Sequence, residues 1–234
     1  MNPESMTSFA KIALAAALVA SMGAASAAPT VFSSVGGAPT GVNKWNLDGA
    51  APVGTGLGSV VVTPNAAFVT GSANGIYAAP FLSGNNGVGF GAGGTDQANG
   101  ADTTRYLTTG STNASTNAKI TINFTADQFY FGLLWGSVDA FNTMEFFNNG
   151  LSVGSLNGTN VTPTATGNQG AQGTYYVNID LAEGFDSIVF KSTNYAFEFD
   201  NIAWSANRVP EPGSLALLGL GLAGLGFARR RRAA

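Results

Sequence analysis

Lys119-Ile120-Thr121-Ile122-Asn123-Phe124 and, a few residues on, Phe129-Tyr130-Phe131-Gly132-Leu133-Leu134-Trp135 decide the fold class. The first stretch alternates, with Ile120, Ile122 and Phe124 on one face, the period of a half-buried β-strand. The second is apolar on both faces, as a strand in the middle of a sandwich is. Working outward, Thr143–Phe147 and Leu151–Leu156 flank Asn149-Gly150. Both residues of that pair tolerate positive φ, which predicts a hairpin with a two-residue turn. Ser59–Thr63, Tyr175–Ile179, Ser187–Lys191 and Tyr195–Trp204 read as further strands. Asn-Gly recurs at 74–75, 86–87, 99–100 and 157–158, marking more turns. No stretch between 28 and 208 shows a helical period. The expectation is an all-β, antiparallel β-sandwich.

Composition removes several function classes. The chain has no His and no Cys, which excludes Ser-His-Asp and Cys-His catalysis, His-ligated metals and disulfides. Residues 28–208 carry five Lys and Arg against eleven Asp and Glu, a net charge of −6, which argues against a nucleic-acid partner. The 32 glycines, with many Asn, Ser and Thr, mark a turn-rich chain. The Gly-rich loop Gly84–Gly94 lacks the Lys-Ser/Thr ending of a phosphate loop.

The two ends of the chain speak of export. Residues 12–25 form an apolar run behind Lys11, and Ala25-Ser26-Ala27 is an A-x-A cleavage site. Signal peptidase is expected to cut after Ala27, leaving Ala28 at the mature terminus; 1–27 is then a signal peptide. Glu4 sits oddly in a region that should be positive, and a start at Met6 would remove it. Toward the other end, Pro210-Glu211-Pro212 precedes an uncharged apolar run, Ser214–Ala228, and then Arg229-Arg230-Arg231-Arg232. As a helix the fifteen apolar residues reach about 22 Å against a hydrocarbon core of roughly 30 Å, so the span is short and arginine snorkelling helps to close the gap. The arginines resist translocation and stay cytoplasmic, which puts residues 28–208 on the far side of the membrane. Gly219-Leu220-Gly221-Leu222-Ala223-Gly224 matches a dinucleotide-binding pattern, but no strand precedes it and no βαβ unit surrounds it. The prolines keep 210–212 extended and open to a protease.

This arrangement of motif, apolar run and basic cluster in 209–234 resembles the PEP-CTERM sorting tail of bacterial surface proteins, which a membrane protease-transpeptidase, exosortase, recognises. Three internal stretches are similar to a family of exosortase-dependent surface proteins with a jelly-roll-like domain: Gly75–Pro80, Phe129–Thr143 with its Trp135-Gly136-Ser137-Val138-Asp139 core, and Ala196–Ile202. The resemblance implies an exported protein, tethered in the inner membrane by one C-terminal transmembrane helix and then moved to the cell surface or outside it. Its implied role is structural or adhesive, in exopolysaccharide or biofilm, and non-enzymatic. The alternatives are a lectin-like carbohydrate-binding module and a matrix polysaccharide hydrolase. A glycosidase needs two facing carboxylates, and the sequence does not place Glu145, Glu183 or Glu198 as such a pair.

Two internal sites follow as expectations. Jelly-roll domains often hold a structural Ca²⁺ near the last strand, which makes Asp200, with Asp48 near the first strand, a candidate calcium pair. The alternative is an Asp that caps a turn. Asp96–Asp102 has oxygen groups but lacks EF-hand spacing and reads as a turn. Trp135, Asp139 and Asn142 are candidate ligand residues, the aromatic ring to stack on a sugar. The opposing reading makes Trp135 core and Asp139 a loop-fixing group.

Overall fold

Lys119–Phe124 and Phe129–Trp135 turn out to be two halves of one strand. The computed structural model describes residues 31–82, 89–91, 100–112 and 117–208. These form ten strands: β1 (Val31–Val35), β2 (Asn43–Trp45), β3 (Leu57–Val62), β4 (Ala66–Thr70), β5 (Arg105–Thr109), β6 (Lys119–Gly136), β7 (Asn142–Asn148), β8 (Leu151–Asn157), β9 (Tyr175–Ser192) and β10 (Glu198–Ser205). All described pairings are antiparallel, and among the described residues helix is confined to one turn at Gly158–Val161 and a 3₁₀ turn at Ala171–Gly173. The expected all-β, sandwich-like architecture is therefore present.

The layers share their strands. β6 and β9 each run for 18 residues, well beyond the roughly 5–6 typical of a strand. Their pairing is interrupted between Asn123 and Tyr130. The core-facing set also changes parity there. In β6 it passes from Ile120, Ile122 and Phe124 to Phe131, Leu133 and Trp135; in β9 from Val177, Ile179 and Leu181 to Ile188 and Phe190. Thr125–Asp127, Ala182 and Glu183 are exposed at this corner, where Gly184 takes φ 72°. Both strands thus bend together at irregular pairings and keep apolar residues inward on either side. The first half of β6 lies between β3 and the second half of β9, which pairs onward with β7 and β8. The second half of β6 lies between β10 and the first half of β9, with β5 and β4 beyond β10 and β1 beyond β9.

The half-sheets close on an aromatic core. Phe190, from one half, stacks on Phe199 of the other at 4.2 Å between ring centroids and meets Phe197 edge-on at 5.5 Å. Phe131 lies 6.0 Å from Phe190, and Phe124 6.1 Å from Trp204. Each such ring contributes about 1.5–3 kcal/mol through burial, and well-oriented pairs about 0.5–1.5 kcal/mol more.

The β7–β8 hairpin forms as read, with Asn149 at φ 48° and Gly150 at φ 77°. β1, β2, β4 and β5 were not read from the sequence. β5 (Arg-Tyr-Leu-Thr-Thr) is buried from Tyr106 to Thr109, so its two threonines are interior and the alternation that would announce a strand is missing.

One further layer positions the site. The described parts of the segment 71–103 lie over the outer face of the β10/β6/β9 half-sheet. Phe90 buries against Leu134 and Tyr176 there, and Pro80 packs on Gly136, where an added Cβ would stand 3.0 Å from Pro80 Cγ.

Candidate functional site

β10 carries a bulge that puts two adjacent side chains on one face. Phe197 and Phe199 face the core, but so do Ile202 and Trp204, so the alternation skips once. The register shows the same extra residue: Asp200 lies opposite Leu134 and Ala203 opposite Gly132. Asn201 absorbs it in the left-handed region at φ 49°, a conformation that Asn tolerates better than most residues. Glu198, Asp200 and Asn201 therefore all lie off the core face, beneath the 71–103 segment, and all three are buried.

Their polar atoms are only partly partnered. Glu198 Oε1 accepts a hydrogen bond from the Ala78 amide at 2.9 Å, while Oε2 has no partner. Asn201 Nδ2 faces Asp200 Oδ2 at 3.4 Å; Asp200 Oδ1 and Asn201 Oδ1 have none. Asp102 arrives from the covering segment, its amide donating to Pro80 O at 2.8 Å. Its Oδ1 accepts from the amide and hydroxyl of Thr104 at 2.7 and 2.6 Å, and its buried Oδ2 is unpartnered. Burial first, then Asp102 and more weakly Asp48, push the Asp200 carboxyl well above the usual carboxylate range. Burial raises Glu198 to about 8, with the Ala78 amide pulling the other way. Burial alone pushes Asp139 up to about 7.

The stretches Gly75–Pro80, Phe129–Thr143 and Ala196–Ile202 converge here. Gly75–Pro80 supplies the Ala78 amide and Pro80. Phe129–Thr143 supplies Gly136, which pairs with Glu198, and Asn142, whose Nδ2 donates to Ala196 O at 2.8 Å. Ala196–Ile202 supplies the acids themselves.

The sugar-contact expectation is corrected. Trp135 is fully buried and stacks on Phe197 at 4.4 Å, interplanar angle 21°. A sugar platform needs an open ring face, and this ring has none. Asn142 is fully buried and holds the backbone of Ala196. Asp139 is buried in the loop between β6 and β7, bridged to Thr166 and closed in by Gly158 and Gly167. The core reading of Trp135 and the loop-fixing reading of Asp139 are the ones the geometry supports. Of the other acids considered, Glu145 is ion-paired with Lys191 and Glu183 is exposed.

The Asp48–Asp200 expectation concerned a calcium pair. The two acids feel one another's charge, but Asp48 is exposed and already engaged: Oδ1 accepts from the Arg105 amide at 3.1 Å and Oδ2 from Asn46 Nδ2 at 2.5 Å. The Arg105 side chain bonds the carbonyls of Leu47 and Gly49, which pins this turn. Asp102, a residue that sequence reasoning assigned to a turn, raises the Asp200 carboxyl more than Asp48 does. The described residues hold no group of three His, Cys, Asp or Glu side chains in metal-ligating proximity.

Ala25, Ala27, Ala28, Pro210, Glu211, Pro212, Arg229, Arg230, Arg231 and Arg232 lie outside the described residues, as does the expected transmembrane run; the described residues include no helix long and apolar enough to cross a membrane. The family model of the PEP-CTERM protein-sorting motif matches residues 208–232. The chain is thus a protein that contains a PEP-CTERM sorting domain, and the motif implies exosortase-dependent sorting of a secreted surface protein from a membrane-anchored precursor. Searches of curated proteins and of solved structures return no match to the chain.

Proposed function

We propose that this protein is a non-enzymatic structural or adhesive component of the cell surface or of the exopolysaccharide matrix. The observation that carries the proposal is the sorting motif at 208–232. Signal peptidase removes residues 1–27, the helix within 209–234 holds the precursor in the inner membrane, and exosortase cleaves near Pro210-Glu211-Pro212. The β-domain, 28–208, is the delivered part, and it has a jelly-roll-like character. Two features support a non-catalytic role: the chain lacks His and Cys, and the acids off the sheet's core face are enclosed beneath a covering segment. Exopolysaccharide is the partner, met through weak contacts on the outer surface and not through the buried Trp135.

The test is intact mass of the protein from its native host, in membrane and medium fractions. The expected species begins at Ala28 and ends near Pro210. A sole species that retains Arg229–Arg232 would mean permanent tethering and would overturn the sorting scheme. Selective binding of one glycan on an array would replace the general matrix role with a lectin.

A further inference from the structure

The two half-sheets differ in what lies over their outer faces. The half built from β10, β6 and β9 carries the 71–103 segment. Over the half built from β3, β6, β9, β7 and β8 the described residues place no such layer. Its inward set includes Ile120, Ile122, Ile188, Phe190, Met144 and Phe146, so the residues between them point outward. Those residues are partly or fully exposed, and the register aligns them in rows across the strands. One row runs Ser59, Asn123, Ser187, Phe147; another sets Lys119 opposite Lys191. The face is about 19 Å across its five strands and about 14 Å from the lysine row to the Phe147 row. Hydroxyls and amides that both donate and accept hydrogen bonds, beside one partly exposed aromatic ring, are the chemistry that a polyhydroxylated ligand meets well. The lysine row adds a sign. Like charges directly opposite on paired strands are destabilising, and the acid beside them, Glu145, is ion-paired with Lys191, which leaves this row one positive charge in excess. Asp186, at the other end of the face, accepts from the Asn149 amide at 2.7 Å and the Ser187 hydroxyl at 3.2 Å.

We propose that this open face is the docking surface for an anionic polysaccharide, its carboxylates set against Lys119 and Lys191 and its sugar rings laid along Asn123, Ser187 and Phe147; the proposal rests on the matrix reading above. The row of lysines selects the sign of the partner. A neutral polymer would leave the two cross-strand ammonium groups facing one another, whereas a carboxylate beside them offsets both through charge-assisted hydrogen bonds. The net charge of −6 on residues 28–208 opposes such a partner at long range, but a screening length of about 8 Å at physiological salt confines the contest to the groups nearest the polymer. Exposed ion pairs contribute little singly, so one sugar unit binds poorly. A polymer offers many equivalent units to many copies of the domain, and the contacts add through avidity.

The experiment is lysine footprinting of the full chain in non-ionic detergent: acetylation by an N-hydroxysuccinimide ester, read residue by residue by mass spectrometry, with polygalacturonate or neutral dextran present. Polygalacturonate at about ten times Kd should slow acetylation of Lys119 and Lys191 by roughly tenfold. Dextran should not, and added NaCl should remove the effect. Lys44, which lies over the ring of Phe90 on the covered side, is the internal reference and should react at its usual rate. Lys119→Gln should weaken the protection of Lys191, and Glu145→Gln, which frees Lys191, should strengthen it; these side chains are partly or fully exposed, so the fold tolerates both changes. Equal slowing at Lys44, or equal slowing by dextran, overturns the proposal. Variants that leave the protection of Lys191 unchanged overturn it too, because charge then does not drive the contact. No protection at Lys119 and Lys191 also overturns it; if the intact-mass test finds the chain processed at both ends, the matrix reading stands and this face alone is withdrawn.

Discussion

Gly132 lies on the outer face of β6 beneath two tyrosines, and adding a single methyl group there should be costly. A Cβ on Gly132 would fall inside the contact distance of Tyr130 Oη and stand 2.9 Å from Tyr176 Oη and 3.0 Å from Tyr176 Cε1. Both tyrosines are fully buried, so neither ring can swing into solvent. Tyr130 Oη also donates to Asn178 Oδ1 at 2.7 Å. Gly132→Ala therefore forces overpacking, worth about 1–3 kcal/mol, and strains or breaks a buried hydrogen bond, worth about 1–2 kcal/mol. The expected loss is about 2–5 kcal/mol, read by urea denaturation followed through tryptophan fluorescence. Tyr130→Phe alone removes the hydroxyl and should cost about 1–2 kcal/mol. In the double variant the worst contact is gone. The two changes should then be non-additive, with a favourable coupling of about 1 kcal/mol or more. Additivity within about 0.5 kcal/mol, or a single Gly132→Ala cost below that, would show that the tyrosine hydroxyls do not close over Gly132.

Two further outcomes are expected. Asp139 is held at about 7 in the fold against an ordinary 3.8, so between these values the unfolded chain is ionised there and the folded chain is not. The folded state then binds more protons, and stability falls as pH rises from about 4 to 7, by at most about 4 kcal/mol. Asp139→Asn should remove that part of the slope in denaturation curves taken across this range, leaving the component of Glu198, which extends to about 8; an unchanged slope refutes the assignment. Phe190→Ala, at the contact between the half-sheets, should cost about 3–5 kcal/mol in the same assay, and a loss under about 1 kcal/mol would mean that the halves do not depend on this ring.

Much of the sheet was legible because its strands keep one apolar face. Ile120, Ile122 and Phe124 gave β6 its beginning, and Asn149-Gly150 gave the β7–β8 hairpin. The union of two predicted strands into β6 was hidden, because the polar corner at Thr125–Asp127 reads like a loop and the parity change reads like a fresh start. The bulge in β10 did leave a trace: Phe197, Phe199, Ile202 and Trp204 are spaced two, three, two, which puts one extra residue between the inward-facing pairs. The effect of Asp102 on the Asp200 carboxyl left none, since it is made by folding a turn-rich segment onto a sheet face. Trp135 shows the remaining difficulty. The same W-G-S-x-D pattern suits an exposed platform or a core ring, and only the position of Phe197 decides between them.

The strand nearest the sorting tail, β10, is not at an edge. It is flanked by β6 on one side and by β5 and β2 in succession on the other, and Phe199 and Trp204 anchor it in the core. Tension applied through the tail is therefore borne by an interior strand. Its two rows of hydrogen bonds and its seated rings must fail before it leaves, whereas an edge strand would peel one bond at a time. The C-terminal end of the domain is thus the end at which a pull meets the most resistance.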